Sequence, residues 1–108
     1  ELGHVIQFLL KKRWKLFIMR LNDIIFIDNL PTLDLHGFDR ETARVLINDF
    51  INDNIKLKNQ FVIIIHGIGG GILRQTTKDV LKQNKNVLEY KIYPFNVGCT
   101  IVNIDLTK

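Results

Sequence analysis

The sequence predicts an α/β fold whose elements run strand, helix, strand, helix, strand, strand around a mixed four-stranded sheet. Two short stretches carry that prediction, Leu33-Asp34-Leu35-His36-Gly37 and His66-Gly67-Ile68-Gly69-Gly70-Gly71, each closing an apolar run on His-Gly. The first alternates apolar and polar residues, as a half-buried strand does. The second follows Phe61-Val62-Ile63-Ile64-Ile65, a run apolar on both faces, as in a strand covered on both sides. A helical stretch separates the two, so they read as a βαβ unit whose parallel strands end at one edge. Asp34, His36, His66 and the glycine loop are therefore expected side by side at the carboxyl edge, where open α/β sheets bind ligands.

The elements follow in order. Ahead of Pro31, Leu10, Trp14, Phe17, Ile18 and Leu21 recur at the spacing of one helical face, with Lys11, Lys12, Arg13, Lys15 and Arg20 interspersed. Ile24-Ile25-Phe26-Ile27 then reads as a short strand, ended by Asp28-Asn29 and Pro31. Residues 1–30 are thus expected to form an arm, a basic amphipathic helix plus a strand, that packs on its own domain or a partner in preference to a membrane. Residues 31–108 form the expected domain. Beyond the first motif, Asp39 is suited to cap a helix. Ala43, Leu46, Ile47, Phe50 and Ile51 mark its buried stripe, and the poor helix formers Asn52-Asp53-Asn54 are expected to end it near Asn54. A second helix is expected from Ile72 to Gln83, with Leu73, Val80 and Leu81 inward. Arg74, Lys78 and Lys82 form a basic ridge on its other side, with Lys85 near the end. Val87–Tyr93 and Thr100–Leu106 alternate as strands, joined through the Pro94–Cys99 loop into an antiparallel hairpin.

A length of 108 residues allows one domain, and an apolar fraction of 46% is enough for a core. The net charge of +4 favours a polyanionic partner. The single cysteine, Cys99, excludes an intrachain disulfide and suits a reducing compartment, so a cytoplasmic location is expected. No apolar stretch reaches membrane-spanning length. Residues 5–10 resemble the core of a signal sequence, but Lys11-Lys12-Arg13 follow it where a signal sequence has its charge first. The chain opens on Glu1 rather than Met, consistent with a fragment or a processed form, and Met19 is an alternative start.

Chemistry can be read from the two motifs. Asp34 and His36 stand two apart, so on a strand their side chains leave the same face. A carboxylate beside an imidazole orients the ring for general base work, raises its pKa, or shares a metal. Each helps to activate water or a ribose hydroxyl against a phosphodiester. The plainer reading is a polar strand end whose histidine bonds the next loop. The Gly67-Ile68-Gly69-Gly70-Gly71 loop allows close backbone approach and opens a helix, whose free N–H groups attract phosphate. Arg74 and Lys78 add charge at that spot. Glu89 lies about twenty residues on, as a dinucleotide fingerprint asks, but it falls mid-strand and the chain has too few βα units for that fold. A Walker-type loop is excluded because no Gly-Lys-Ser/Thr follows. His66 alone could simply satisfy the loop backbone. Taken together, the two His-Gly ends, the carboxylate, the glycine loop and the basic ridge favour a nucleic-acid phosphate site, although binding without catalysis satisfies most of the same features. Asp34, His36 and His66 are expected around one surface pocket.

In this order and spacing the motifs resemble those of the Smr (small MutS-related) domain family over residues 31–106. The pieces are L-D-L-H-G at 33–37, a helix with Glu41 and Ala43, H-G-x-G-x-G at 66–71 with I-L-R at 72–74, V-L-x-Y at 87–90 and G-C-T-I-V at 98–102. Cys99 departs from the more usual alanine, and Asn96-Val97 from a glycine-richer loop. The resemblance implies a two-layer α/β sandwich similar to the carboxyl-terminal domain of translation initiation factor 3. It implies action on nucleic acid, DNA or RNA, with endonuclease activity leading and a non-catalytic module docking on nucleic acid or ribosomes as the alternative. Cleavage then falls to Asp34 and His36. Substrate binding, with a share in catalysis for His66, falls to the loop that carries His66, Gly67, Gly69 and Gly71. Gly70, Arg74, Lys78 and Lys82 complete the expected phosphate-binding set. Metal use varies across the family, so a divalent metal stays open. A protein-interaction domain acting through Trp14 and Phe17 accounts for the arm but not for the motifs.

Overall fold

The computed structural model describes residues 30–94 and 96–107, so the helix and strand expected within residues 1–29 lie outside the described residues. Pro31–Lys108 form a compact unit. Its elements are β1 (Thr32–Asp34), α1 (Arg40–Lys56), β2 (Phe61–Ile65), α2 (Ile72–Gln83), β3 (Val87–Ile92) and β4 (Cys99–Ile104). This is the βαβαββ order that the alternation and helical spacing predict.

Helix α1 starts where its cap residue stands: the Asp39 carboxylate accepts the Thr42 backbone N–H at 2.9 Å. The helix runs past its expected end because Asn54 is buried and satisfied locally. Its amide donates to the Phe50 carbonyl at 2.8 Å, and its carbonyl oxygen accepts from the Asn59 amide at 2.9 Å. Ala43, Ile47 and Ile51 form the buried stripe, with Leu46 and Phe50 partly buried beside it. Helix α2 buries Thr76 and Thr77 along with Val80 and Leu81. Each threonine hydroxyl donates to the carbonyl four residues back, at 2.8 Å, so neither brings an unsatisfied group into the interior.

The sheet order is β1-β2-β4-β3. β1 lies parallel to β2, with Thr32 opposite Ile63 and Asp34 opposite Ile65. β4 runs antiparallel to β2 and to β3, so the hairpin inserts its second strand into the middle of the sheet and leaves β3 at the edge. Both helices pack on the sheet face carrying Val62, Ile64, Val102 and Ile104, which completes a two-layer sandwich around one core. Phe61, Ile63 and Ile101 are buried as well, so the central strands are buried on both faces, as the unbroken apolar run of β2 requires. No described helix is long and apolar enough to cross a membrane.

β1 is shorter than its sequence pattern. The Leu35 N–H still reaches the Ile65 carbonyl at 2.8 Å, after which the chain turns through His36 and Gly37 and the Phe38 N–H closes on the Leu35 carbonyl at 3.1 Å. Gly37 has φ +85°, a left-handed conformation in which a side chain is strained.

Candidate functional site

The parallel register of β1 and β2 positions the two His-Gly motifs. Asp34 pairs with Ile65, so His36 leaves β1 level with the point where His66 and Gly67 leave β2. Strand β1 ends at Asp34, however, and His36 lies in the turn beyond it, so the pair does not share a strand face as expected. The Asp34 carboxylate accepts the backbone N–H of His36 at 2.9 Å. This local turn sets the chain path that presents the exposed imidazole. Asp34 thus holds the backbone of His36. The imidazole has no hydrogen-bond partner among the described residues.

His66 is placed very differently. It is 6% exposed, and both ring nitrogens are engaged. Nδ1 lies 3.0 Å from the Gly67 carbonyl, which can only accept, so Nδ1 carries the proton. Nε2 must then accept from the Thr100 hydroxyl at 2.8 Å. Burial, opposed by the bond to Gly67 and reinforced by the charge of Arg74, holds the His66 pKa below the usual histidine range. The neutral ring ties the glycine loop to β4. The hairpin loop does the same through its backbone: the Gly98 carbonyl accepts the N–H groups of His66 and Gly67 at 2.9 and 3.0 Å. A Cβ at Gly98 would stand 3.3 Å from Asn96 Oδ1 and 3.4 Å from the Gly67 Cα, so the hairpin loop packs closely on the glycine loop.

Beyond Gly67 the loop is exposed as far as Gly70 and enters α2 through Gly71, which has φ +83° and no side-chain cap. The first N–H groups of α2 therefore face outward without a capping side chain, the arrangement that suits an anion. Arg74, in the first turn of α2, brings the nearest charge. Across β2 from Asp34, Cys99 is buried, and burial together with the Asp34 carboxylate pushes its thiol pKa up, which keeps it protonated and unreactive.

Two recesses near this edge are lined by residues other than Asp34, His36 and His66. One, of about 390 Å³, lies between α2 and β3 and is lined by Arg74, Gln75 and Lys78 from the helix, Tyr90, Lys91 and Ile92 from β3, and Thr100 of β4. The other, of about 470 Å³, lies between the start of α1 and the start of α2 and is lined by Phe38, Asp39, Arg40, Ile72 and Leu73. The expected basic ridge is divided by this geometry. Arg74 and Lys78 line the first recess, and Lys82, toward the helix end, does not. Gln75 and Lys91 carry no signal in the sequence, because their place beside the recess depends on which strands pair. Tyr90 and Thr100 belong to motifs of the hairpin, without an indication of what they face. Among the described residues no group of three or more His, Cys, Asp or Glu side chains is placed to hold a metal ion.

Comparison with known proteins agrees with this architecture. The Smr domain family model matches residues 33–105. The chain belongs to the Smr domain family. Among curated relatives, the Smr domain here is 30% identical over 78 residues to Endonuclease MutS2 of Clostridium perfringens, covering 72% of this chain and 10% of that protein. It is 38% identical over 72 residues to Endonuclease MutS2 of Helicobacter pylori, covering 67% of this chain and 9% of that protein. The chain thus corresponds to about a tenth of the length of these relatives. The fold is similar to the crystal structure of the Smr domain of Thermus thermophilus MutS2, with a TM-score of 0.67, 24% identity and coverage of 69% of this chain and 98% of that one. It is also similar to YdaL, a stand-alone small MutS-related protein from Escherichia coli, with a TM-score of 0.63, 24% identity and coverage of 68% and 63%.

The state of His66 predicts a pH dependence for this Smr domain. Its folded pKa lies below the unfolded value of about 6.5, so the unfolded chain binds more protons as the solution is acidified. The contribution of neutral His66 is complete above that value and is lost as pH falls through the folded pKa. The melting temperature should therefore drop on acidification below about pH 6.5. In His66→Gln, which has no titrating ring, that part of the drop should shrink; an identical pH profile in the variant would remove His66 as its source.

Proposed function

We propose that this Smr domain binds nucleic acid and cleaves a phosphodiester bond, with His36 as general base or acid. The observation that carries the reading is the parallel register of β1 and β2, which sets an exposed imidazole level with an exposed glycine loop and the uncapped start of α2. In this mechanism the loop N–H groups and Arg74 hold a phosphate, whose charge they offset as the bond to the leaving oxygen stretches. His36 takes the proton from the attacking water or ribose hydroxyl, or delivers one to the leaving oxygen. Asp34 acts as a positioning residue through the turn it holds, and His66 keeps the loop in place. If a divalent metal takes part, Asp34 is the carboxylate at this edge that could reach it, and a metal would supply charge on a phosphate oxygen. The name of the MutS2 relatives, endonuclease, supports the reaction class.

Incubation with single-stranded, nicked and branched DNA and with RNA, each with and without EDTA, tests the reading. Cleavage of at least one substrate supports it. Binding without cleavage of any would favour a second reading, a non-catalytic module that docks on nucleic acid or ribosomes, and the observation on its side is the His36 ring, which has no hydrogen-bond partner among the described residues. Binding itself has a separate test. Arg74→Ala and Lys78→Ala should each flatten the salt dependence of affinity by about 0.9 for duplex or 0.7 for single strands, one phosphate contact apiece. Lys82→Ala, outside the recess, should leave the slope nearest to that of the parent. Equal slopes for all three variants would return the ridge to an ordinary solvated helix face.

A further inference from the structure

We infer that the recess between α2 and β3 seats one unpaired nucleotide of the bound strand, with its phosphate on Arg74 and Lys78 and its base against Tyr90. The inference rests on the nucleic-acid reading above and adds to it the form of the substrate.

Charge is the first observation. Arg74 and Lys78, four residues apart on α2, converge on the recess, whereas Lys91, opposite Ile101, leaves β3 from the other sheet face than Tyr90 and Ile92, and among the described residues no carboxylate lines the recess. Such convergence suits a phosphate, which accepts hydrogen bonds on several oxygens at once.

Size and shape are the second. A volume of about 390 Å³ lies near the lower end of the range of about 300–1,000 Å³ for pockets that enclose a small ligand. A recess of that size admits one nucleotide. A duplex, with its bases stacked and paired, can only pass over the rim. Tyr90 offers an aromatic face of the kind on which unpaired bases stack, and Ile92 adds an apolar neighbour.

The Thr100 hydroxyl is the third. Its hydrogen is committed to His66 Nε2, so its oxygen presents only lone pairs to the recess. A phosphate oxygen would be repelled there. The position asks for a donor, such as a sugar hydroxyl or a base N–H, and so separates a phosphate end from a nucleoside end within the same recess. The same bond links the recess to the glycine loop through His66. A nucleotide seated there would lie next to the phosphate held at the loop.

The test uses the full chain and two readouts. Fluorescence anisotropy compares a short labelled single strand with the same sequence as a blunt duplex, and amide NMR follows titration with a nucleoside monophosphate. Lys78→Ala should weaken single-strand binding more than duplex binding. Tyr90→Leu should weaken single-strand binding by about five- to a hundredfold, as for a lost stacking partner, while Tyr90→Phe retains it. The monophosphate should shift the amide resonances of Arg74, Tyr90, Lys91 and Thr100. Tyr90 also packs against the core, so each variant is first checked for a native melting transition. Should Tyr90→Leu fail that check, exposed Lys78 and the NMR titration decide the matter. Folded variants that bind single strands like the parent, or that lose single-strand and duplex affinity in equal proportion, would overturn the recess and leave the nucleic-acid reading standing. Resonance shifts confined to other regions would do the same. A parent chain that binds no nucleic acid at all would overturn the functional reading, and this inference with it.

Discussion

Replacing His36 with alanine is expected to lower phosphodiester cleavage by about a hundred- to ten-thousandfold, the range for a lost acid–base group. Binding should change little, because His36 is one exposed side chain at an edge where the loop backbone and the cations supply the phosphate contacts. The structure also refines what Asp34 variants can report. Asp34→Asn keeps an oxygen that can accept the His36 N–H and so preserves the turn, whereas Asp34→Ala releases it. Asp34→Ala should therefore reduce cleavage further than Asp34→Asn, and the residual loss in Asp34→Asn measures the part due to charge. His36→Ala protein that melts like the parent and cleaves at the parent rate would remove His36 from the mechanism.

Ile64→Ala is expected to cost about 2–5 kcal/mol of folding stability, the range for truncating a fully buried aliphatic side chain to alanine. A domain of this size has roughly 4–12 kcal/mol in total, so the loss removes a large share of it. Ile64 was chosen for its position: it pairs with Leu33 on one side and Thr100 on the other, in the strand from which the glycine loop emerges. The same truncation at Ile68 in the loop, which is 69% exposed, should stay within about 0.5 kcal/mol. Urea denaturation with a two-state fit distinguishes the two. A small change at Ile64 would contradict the placement of the core under the loop.

Most of the architecture was legible because hydrophobic spacing is a local property. Helix α2 spans Ile72–Gln83, as its spacing predicts, and Asp39 caps α1 where expected. Local pattern failed where a distant partner decides the outcome. Leu33–Gly37 alternates like a strand throughout, but the chain turns after Leu35 because the Asp34 carboxylate takes the His36 N–H. Asn52-Asp53-Asn54 reads as a helix end, yet α1 continues to Lys56, because the Asn54 side chain finds Phe50 and Asn59.

The candidate site divides along the same line. The sequence by itself determined the two His-Gly ends, the parallel pair that carries them and the single edge on which they meet, since strands joined through one helix run parallel and parallel strands end at the same edge. The hairpin was legible as a hairpin, but the strand it would pair with was not. Only the tertiary structure inserted β4 beside β2, which brought Thr100 to His66 and set Tyr90 opposite Arg74 across the recess. The physical reason is that a strand's spacing records which of its faces is buried, whereas its neighbours are set by backbone hydrogen bonds, which every residue except proline can make alike.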